Sequence, residues 1–232
     1  LRISIIIPVF NEERTVLEVL QKVLKLPLNK EVIVIDDGST DRTSLLLREI
    51  ERSWGYTNLK ILFHDRNKGK GSAIKTALEI ASGDVICVQD ADLEYEPNQL
   101  IELLKYFEDS SIEVVYGSRF LKNNPVIYRT FYWGNKLLTF MINLLYGAKY
   151  TDAYTCYKLI RRDVMKNLNL ESNGFEIEAE ISVKLAKSKK KVIEVPISYS
   201  PRKREEGKKI GLKDALKGIL TVLKFRFRLK EG

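Results

Sequence analysis

Histidine is almost missing from this chain: there is one, His64, in 232 residues. Cysteine is scarce too, and Cys87 and Cys156 stand far apart. No Cys/His cluster exists from which a structural zinc site could be built. Cys87 lies in an apolar, strand-like run and reads as a buried free thiol, which suits a reducing cytoplasm. No stretch reaches the roughly 18 consecutive apolar residues of a transmembrane helix. The opening residues run from Leu1-Arg2 straight into strand-like sequence, without the pattern of a secretory signal. Internal repeats and low-complexity linkers are absent. No Gly-x-Gly-x-x-Gly follows the first apolar run, which argues against a dinucleotide fold. The glycine-rich turn Asn67-Lys68-Gly69-Lys70-Gly71 lacks Walker spacing, so it is not a P-loop, although a basic turn before a helix is a fair anion site. The aromatic residues sit in apolar surroundings rather than on a base-stacking platform, so no nucleic acid partner is expected.

What is present is an ordinary globular composition, 44% apolar and 30% charged. The net charge of +8 is unevenly placed. From Lys187 to Gly232 there are 15 Lys/Arg against 5 Asp/Glu, while the residues before them hold 24 against 26. Basicity is therefore a property of the C-terminal part. It points to phosphate-bearing partners, a nucleotide, a lipid phosphate or a membrane surface, or else to a solvated basic tail.

The first half alternates strand and helix. Strands are predicted over 3–9, 31–35, 59–63, 85–88 and 112–116. Helices are predicted over 13–26, around Leu45, Leu46 and Ile50, over 71–81 and over 98–107. That order predicts an α/β, three-layer fold on a parallel sheet, whose ligands bind beyond the carboxyl ends of the strands. The second half is less regular. Helices are predicted over 131–146, 176–186 and about 211–228, and strands over 156–160 and 191–199.

Polar and acidic residues recur where strands end. Asp90-Ala91-Asp92 follows the apolar run 85–88. Residues two apart in an extended chain point to one side. Two carboxylates about 4 Å apart repel by roughly 4 kcal/mol at an effective dielectric near 20. A divalent cation reverses that sign, and magnesium commonly takes one or two carboxylates together with substrate phosphates. The alternative is a pair of turn or capping aspartates before the next helix. Asp36-Asp37-Gly38-Ser39 follows the second strand, where a carboxylate can accept from base or ribose and where Ser39 or Asp41 can cap a helix.

Taken together these stretches resemble the family 2 glycosyltransferases of the GT-A fold, and more closely the dolichyl-phosphate mannose synthase branch of polyprenyl-phosphate sugar transferases. The matching segments are Ile5-Ile6-Ile7-Pro8-Val9-Phe10-Asn11-Glu12, Val34-Ile35-Asp36-Asp37-Gly38-Ser39, Gly83-Asp84-Val85 through Asp90-Ala91-Asp92-Leu93, and Tyr116-Gly117-Ser118-Arg119-Phe120. Looser matches are Thr151-Asp152 with Tyr157-Lys158, Gly174-Phe175-Glu176, Glu194-Val195-Pro196-Ile197, and 202–209. The resemblance implies a mostly parallel central sheet in an α/β/α sandwich with an appended, membrane-facing amphipathic helical part. The GT-A domain would span 1–209, with a nucleotide-sugar half over about 1–120 and an acceptor half over about 121–209. Residues 210–232 would form a basic amphipathic helix.

By the same resemblance, Pro8, Phe10, Glu12, the main chain at Ile35 and the side chain of Asp37 would hold the nucleotide. Asp92 and Glu94 would bind Mg2+ or Mn2+, with Asp90 and Ala91 shared between donor and metal. Glu94 stands where relatives carry Gln. Arg119, Arg129, Arg202 and Lys208 would surround donor and acceptor phosphates. The implied reaction is an inverting transfer of a hexose from a nucleotide sugar (GDP-mannose or UDP-glucose type) to a polyprenyl or dolichyl phosphate. It would take place on the cytoplasmic face of the membrane.

A phosphate acceptor, with a second pKa near 6, needs no strong base. That fits the poverty in histidine, and His64 reads as structural. Were the acceptor a hydroxyl, Asp152, Glu178 and Glu180 would be candidate bases. Two alternatives stand beside this reading: a family 2 transferase acting on a hydroxyl of a glycan or other soluble acceptor, and a non-catalytic nucleotide-diphosphate binding protein. On the lipid side, 131–146 carries aromatic and aliphatic residues that serve either a lipid contact or core packing. From 210 on, Leu212, Leu216, Leu220, Leu223 and Phe227 recur among basic residues, the pattern of a helix lying in a membrane interface.

Overall fold

A computed structural model describes residues 1–202 and 211–227. Strand β1 (Ile3–Val9) and strand β2 (Lys30–Asp36) are buried almost throughout, as continuous apolar runs must be when both faces of a sheet are covered. β3 (Leu59–Phe63) flanks β2, and β4 (Val85–Val88) flanks β1 on its other side. β5 (Val114–Ser118), β6 (Lys158–Arg161) and β7 (Val192–Pro196) complete a seven-stranded sheet in the order β3-β2-β1-β4-β6-β5-β7. Among the described residues only β6 runs against its neighbours, pairing antiparallel with β4 and β5. The other strands share one direction, so their carboxyl ends line one edge of the sheet.

The covering helices follow from periodicity. α1 (Val16–Leu24) buries Val16, Val19, Leu20, Val23 and Leu24, one apolar stripe at helical spacing. It begins later than predicted because a turn comes first, with the N–H groups of Thr15 and Val16 both donating to Glu12 O. α2 (Thr43–Ser53), α3 (Lys70–Ile80) and α4 (Gln99–Lys105) cover the same half. β5 starts two residues later than predicted and runs to Ser118.

In the second half, α5 (Arg129–Tyr146), α6 (Arg162–Asn167), α7 (Ile177–Lys187) and α8 (Leu212–Phe227) appear. α6 was not predicted. α5, α7 and α8 share a second apolar core built on Leu138, Ile142, Ala179, Val183, Val222 and Phe225. Tyr146 donates from its hydroxyl to Val222 O at 2.5 Å, which pins α8 to α5. Each helix also leaves apolar side chains uncovered: Trp133, Leu137, Phe140 and Leu144 on α5, and Leu216, Leu220 and Phe227 on α8. No helix among the described residues is long and apolar enough to cross a membrane.

Candidate active site

The loops leaving β1 and β2 are stitched together. Asn11 N–H donates to Ser39 Oγ at 2.9 Å, and Thr40 N–H donates to Asn11 Oδ1 at 2.7 Å. The neighbouring aspartates then diverge. Asp36 accepts from Ser39 N–H at 3.1 Å and from the Ser44 hydroxyl. Asp37, 2% exposed, accepts from the backbone N–H groups of Lys68 (2.9 Å) and Gly69 (2.7 Å). The basic turn expected to hold an anion spends two of its N–H groups on this carboxylate of the chain itself. His64 completes the arrangement. Its Nδ1 lies 2.6 Å from Asp37 Oδ1 and its Nε2 3.0 Å from Thr76 Oγ1, which suits an imidazole donating through Nδ1.

Beyond β4 the chain turns sharply, with Leu93 at φ 60°, an uncommon conformation for a residue other than glycine. Three carboxylates surround the turn. Asp90 Oδ1 lies 2.7 Å from Lys70 Nζ. Asp92 accepts from Glu94 N–H at 3.1 Å and faces an Arg202 nitrogen at 3.8 Å. Burial, then repulsion from Asp90 and Glu94, pushes the Asp92 carboxyl up to about 7. Glu94 is buried and accepts from Arg202 N–H at 2.9 Å and from the Tyr199 hydroxyl. Arg202 in turn donates twice to Glu12, at 2.9 Å to each oxygen. Ala91 O accepts from the Thr15 hydroxyl at 2.6 Å.

These are hard oxygen donors around a point with surplus negative charge, so their chemistry fits Mg2+ or Mn2+. Among the described residues no three of His, Cys, Asp and Glu converge as a finished cage. The carboxylates lean instead on Lys70 and Arg202.

On the other side of the cavity, Arg119 leaves β5 and is locked by Asp152 through two side-chain bonds of 2.8 Å. Asp152 also accepts from Arg119 N–H at 3.0 Å. Beneath them, Glu178 on α7 receives Lys70 at 3.0 Å and Lys158 at 2.6 Å. Burial alone would lower the Lys70 pKa, but Asp90 and Glu178 reverse that and keep the ammonium charged.

These groups line a single cavity of about 660 Å³. Its floor carries Asp37, Lys70, Asp90, Asp92, Glu94, Arg119 and Arg202. Its mouth carries a run of apolar and aromatic side chains, Val126, Ile127, Tyr128, Phe131 and Tyr132, beside Lys122, Asn123 and Lys217.

Residues 4–168 match the family model for glycosyl transferase family 2. The chain belongs to that family. A dolichol-phosphate mannosyltransferase of Pyrococcus furiosus is 30% identical over 235 residues, covering 99% of this chain and 64% of its own length. The chain thus spans just under two thirds of that relative. A low-salt glycan biosynthesis hexosyltransferase of Haloferax volcanii is 28% identical over 211 residues, covering 88% of this chain and 49% of the relative. Among solved structures, glucosyl-3-phosphoglycerate synthase from Mycobacterium tuberculosis, in complex with Mn2+, uridine diphosphate and phosphoglyceric acid, superposes with a TM-score of 0.74. It has 18% identity and covers 99% of this chain and 80% of that one. A Mg2+ and uridine diphosphate complex of the same enzyme gives 0.71, with 18% identity, covering 97% of this chain and 78% of that one. The fold is therefore GT-A.

The family 2 cavity gathers Pro8, Phe10, Glu12, Asp37, Asp90, Ala91, Asp92, Glu94, Arg119 and Arg202. Ile35 lies within β2, buried, and its side chain does not reach the cavity. Arg129 opens α5, is exposed, and is not part of the cavity wall. Lys208 lies outside the described residues. In the sequence Lys70 is only one residue of a basic turn, Lys158 only part of a loose family match, and Tyr199 has no assigned role. Lys158 carried a signal: a lysine within an otherwise apolar strand needs a buried counter-charge. Tyr199 carried none, because its partner Glu94 is more than a hundred residues away.

Proposed function

We propose that this family 2 glycosyltransferase moves a hexosyl group, with inversion, from a nucleotide sugar to the phosphate of a polyprenyl phosphate. The observation that carries the reading is the polarity of the cavity: charged groups at the floor, apolar side chains at the mouth, within one enclosure. A nucleotide diphosphate suits the floor, and a phosphate at the head of a prenyl chain suits the junction between the two.

The engagement of the three candidate bases, Asp152, Glu178 and Glu180, supports the same acceptor. Asp152 is held by Arg119, and Glu178 by two lysines. Glu180 is held by Lys184 at 2.6 Å and by the N–H groups of Glu171 and Ser172. A carboxylate committed in this way is not positioned to approach a hydroxyl acceptor. A phosphate arrives with its own negative charge. Arg119 and Arg202 would face the phosphates, their orientation set by Asp152 and Glu12. Asp92, with Asp90, would hold a divalent cation, which when bound offsets charge on the departing diphosphate.

The uncovered apolar residues of α5 and α8 would rest in the headgroup region of the cytoplasmic face. Lys213, Lys217, Lys224 and Arg226 lie beside the α8 residues. The test is acceptor choice in lipid vesicles, comparing a polyprenyl phosphate, the matching polyprenol and soluble sugars. Transfer to the phosphate alone is expected. Preferential transfer to any hydroxyl acceptor would exclude the reading.

A further inference from the structure

Four charges run inward from the cavity floor: Asp90, half-buried, then the buried side chains of Lys70, Glu178 and Lys158. Lys70 Nζ stands 2.7 Å from Asp90 Oδ1 and 3.0 Å from Glu178 Oε1. Lys158 Nζ stands 2.6 Å from Glu178 Oε2 and also donates to Thr155 O at 2.5 Å. The signs alternate and cancel. Lys158 is committed to Glu178, so Lys70 is the member that answers for Asp90.

The backbone fixes where that ammonium sits. Lys70 opens α3 between Gly69 and Gly71. A Cβ on Gly69 would stand 2.3 Å from Asn173 O, and one on Gly71 2.4 Å from Ser172 O. Gly69 also has φ +97°, which residues with a side chain rarely adopt. The segment 172–174 therefore presses directly on the start of α3. Lys75 reinforces the contact, donating to Glu171 O at 3.0 Å and Asn173 Oδ1 at 2.6 Å. The start of α3 is thus held in place, and beyond it the Lys70 ammonium, 8% exposed, is held by its pairs with Asp90 and Glu178.

We infer that Lys70 is a positioning residue that holds Asp90 as an internal counter-ion, and thereby makes tight divalent-cation binding depend on a diphosphate arriving with the cation. The inference rests on the reading of Asp90 and Asp92 as the carboxylates of a cation site. An ammonium and a divalent cation are drawn to the same carboxylate and repel each other. Arg202 acts similarly at Glu12 and Asp92. A bare cation thus meets carboxylates already compensated by the protein. A diphosphate brings fresh negative charge to the cation and tips the balance.

The experiment reads Mn2+ binding by electron paramagnetic resonance on the full chain, alone and with uridine or guanosine diphosphate. K70Q should bind Mn2+ alone about tenfold more tightly than the wild type, because one repelling charge is gone. It should also bind the diphosphate with Mn2+ more weakly, because Asp90 loses its support. K70R keeps the charge and should keep the wild-type affinity for Mn2+ alone. A merely structural Lys70 would lower thermal stability without tightening Mn2+. Unchanged or weaker binding of Mn2+ alone by folded K70Q would overturn the inference. If K70Q does not fold, K70M, which keeps the length of the side chain and leaves the Lys158–Glu178 pair intact, reads the same quantity. Failure of both to fold would overturn it by making Lys70 structural only. A wild type that binds no Mn2+ even with either diphosphate would overturn the cation-site reading itself, and this inference with it.

Discussion

The two halves of the sheet reach the same cavity by different means. From β1 to β5 the chain is a regular strand–helix alternation, and nearly every strand ends in a charged or polar group with an assigned partner: Asp37 with His64 and a backbone turn, Asp90 with Lys70, Glu12 with Arg202. After Arg119 the described residues add the antiparallel β6, the parallel edge strand β7, helices α5 to α8 and a second core, and they expose apolar residues in series on α5 and α8. The exposed apolar residues of the first half, such as Leu45, Tyr56 and Tyr106, are scattered singly and need no explanation. Buried paired charges bring little net stability, but they hold their groups in fixed positions. Serial apolar exposure gives the fold nothing and fits a surface that something apolar covers. The contrast assigns geometry to the first half and contact to the second.

The contrast can be broken most severely at Asp92. Asp92→Ala should lower sugar transfer by about two to three orders of magnitude, the scale on which removal of a charge-stabilising group acts. Circular dichroism should find the fold intact. Retained activity would mean that the first half does not organise a cation.

A smaller effect tests whether the buried charges of this half are tied to folding. Burial alone would raise the Glu31 carboxyl, but bonds from Ser4, from Ser82 and from Lys60 hold it down at about 2. Its ordinary value is 4.5. A depressed carboxyl contributes stability that is present above the unfolded value and is lost as pH falls from 4.5 towards 2. The contribution is on the order of 3 kcal/mol. Urea unfolding across that window should show Glu31→Gln flattening the acid limb. An unchanged acid limb would show that Glu31 is not tied to folding in this way.

The smallest effect lies on the second half. Phe140 is 60% exposed on α5. Phe140→Glu should leave stability within about 0.5 kcal/mol, as for most surface changes. Binding to anionic vesicles should weaken by about 1–2 kcal/mol if the ring enters the interface. Flotation of the variant equal to wild type would remove α5 from the contact surface.

Legibility in the sequence divides along the same line. β1 and β4 fall on the predicted residues, since fully buried parallel strands are continuous apolar runs with sharp ends, and the partly buried edge strand β3 does so too. The carboxylates of the floor are readable because they follow strand ends, and Arg119 and Arg202 through the family resemblance. α6 escaped because six residues hold less than two turns of periodicity. The reversal of β6 was equally hidden, since strand direction is set by partners far along the chain. Pairing was the least legible property. Asp37 looked like a ligand-facing carboxylate, yet it accepts from a turn 31 and 32 residues on. Glu94, expected as a metal ligand, is engaged by Tyr199 and Arg202.

The most direct measurement is the mass of the lipid product formed by the full chain in vesicles containing a polyprenyl phosphate, with GDP-mannose or UDP-glucose and Mn2+, before and after chelation by EDTA. The account predicts a lipid phosphate heavier by one hexosyl residue with one of the two donors, formed only while the cation is present. Transfer that survives EDTA, or a lipid that stays unmodified while sugar reaches a hydroxyl acceptor, would contradict it.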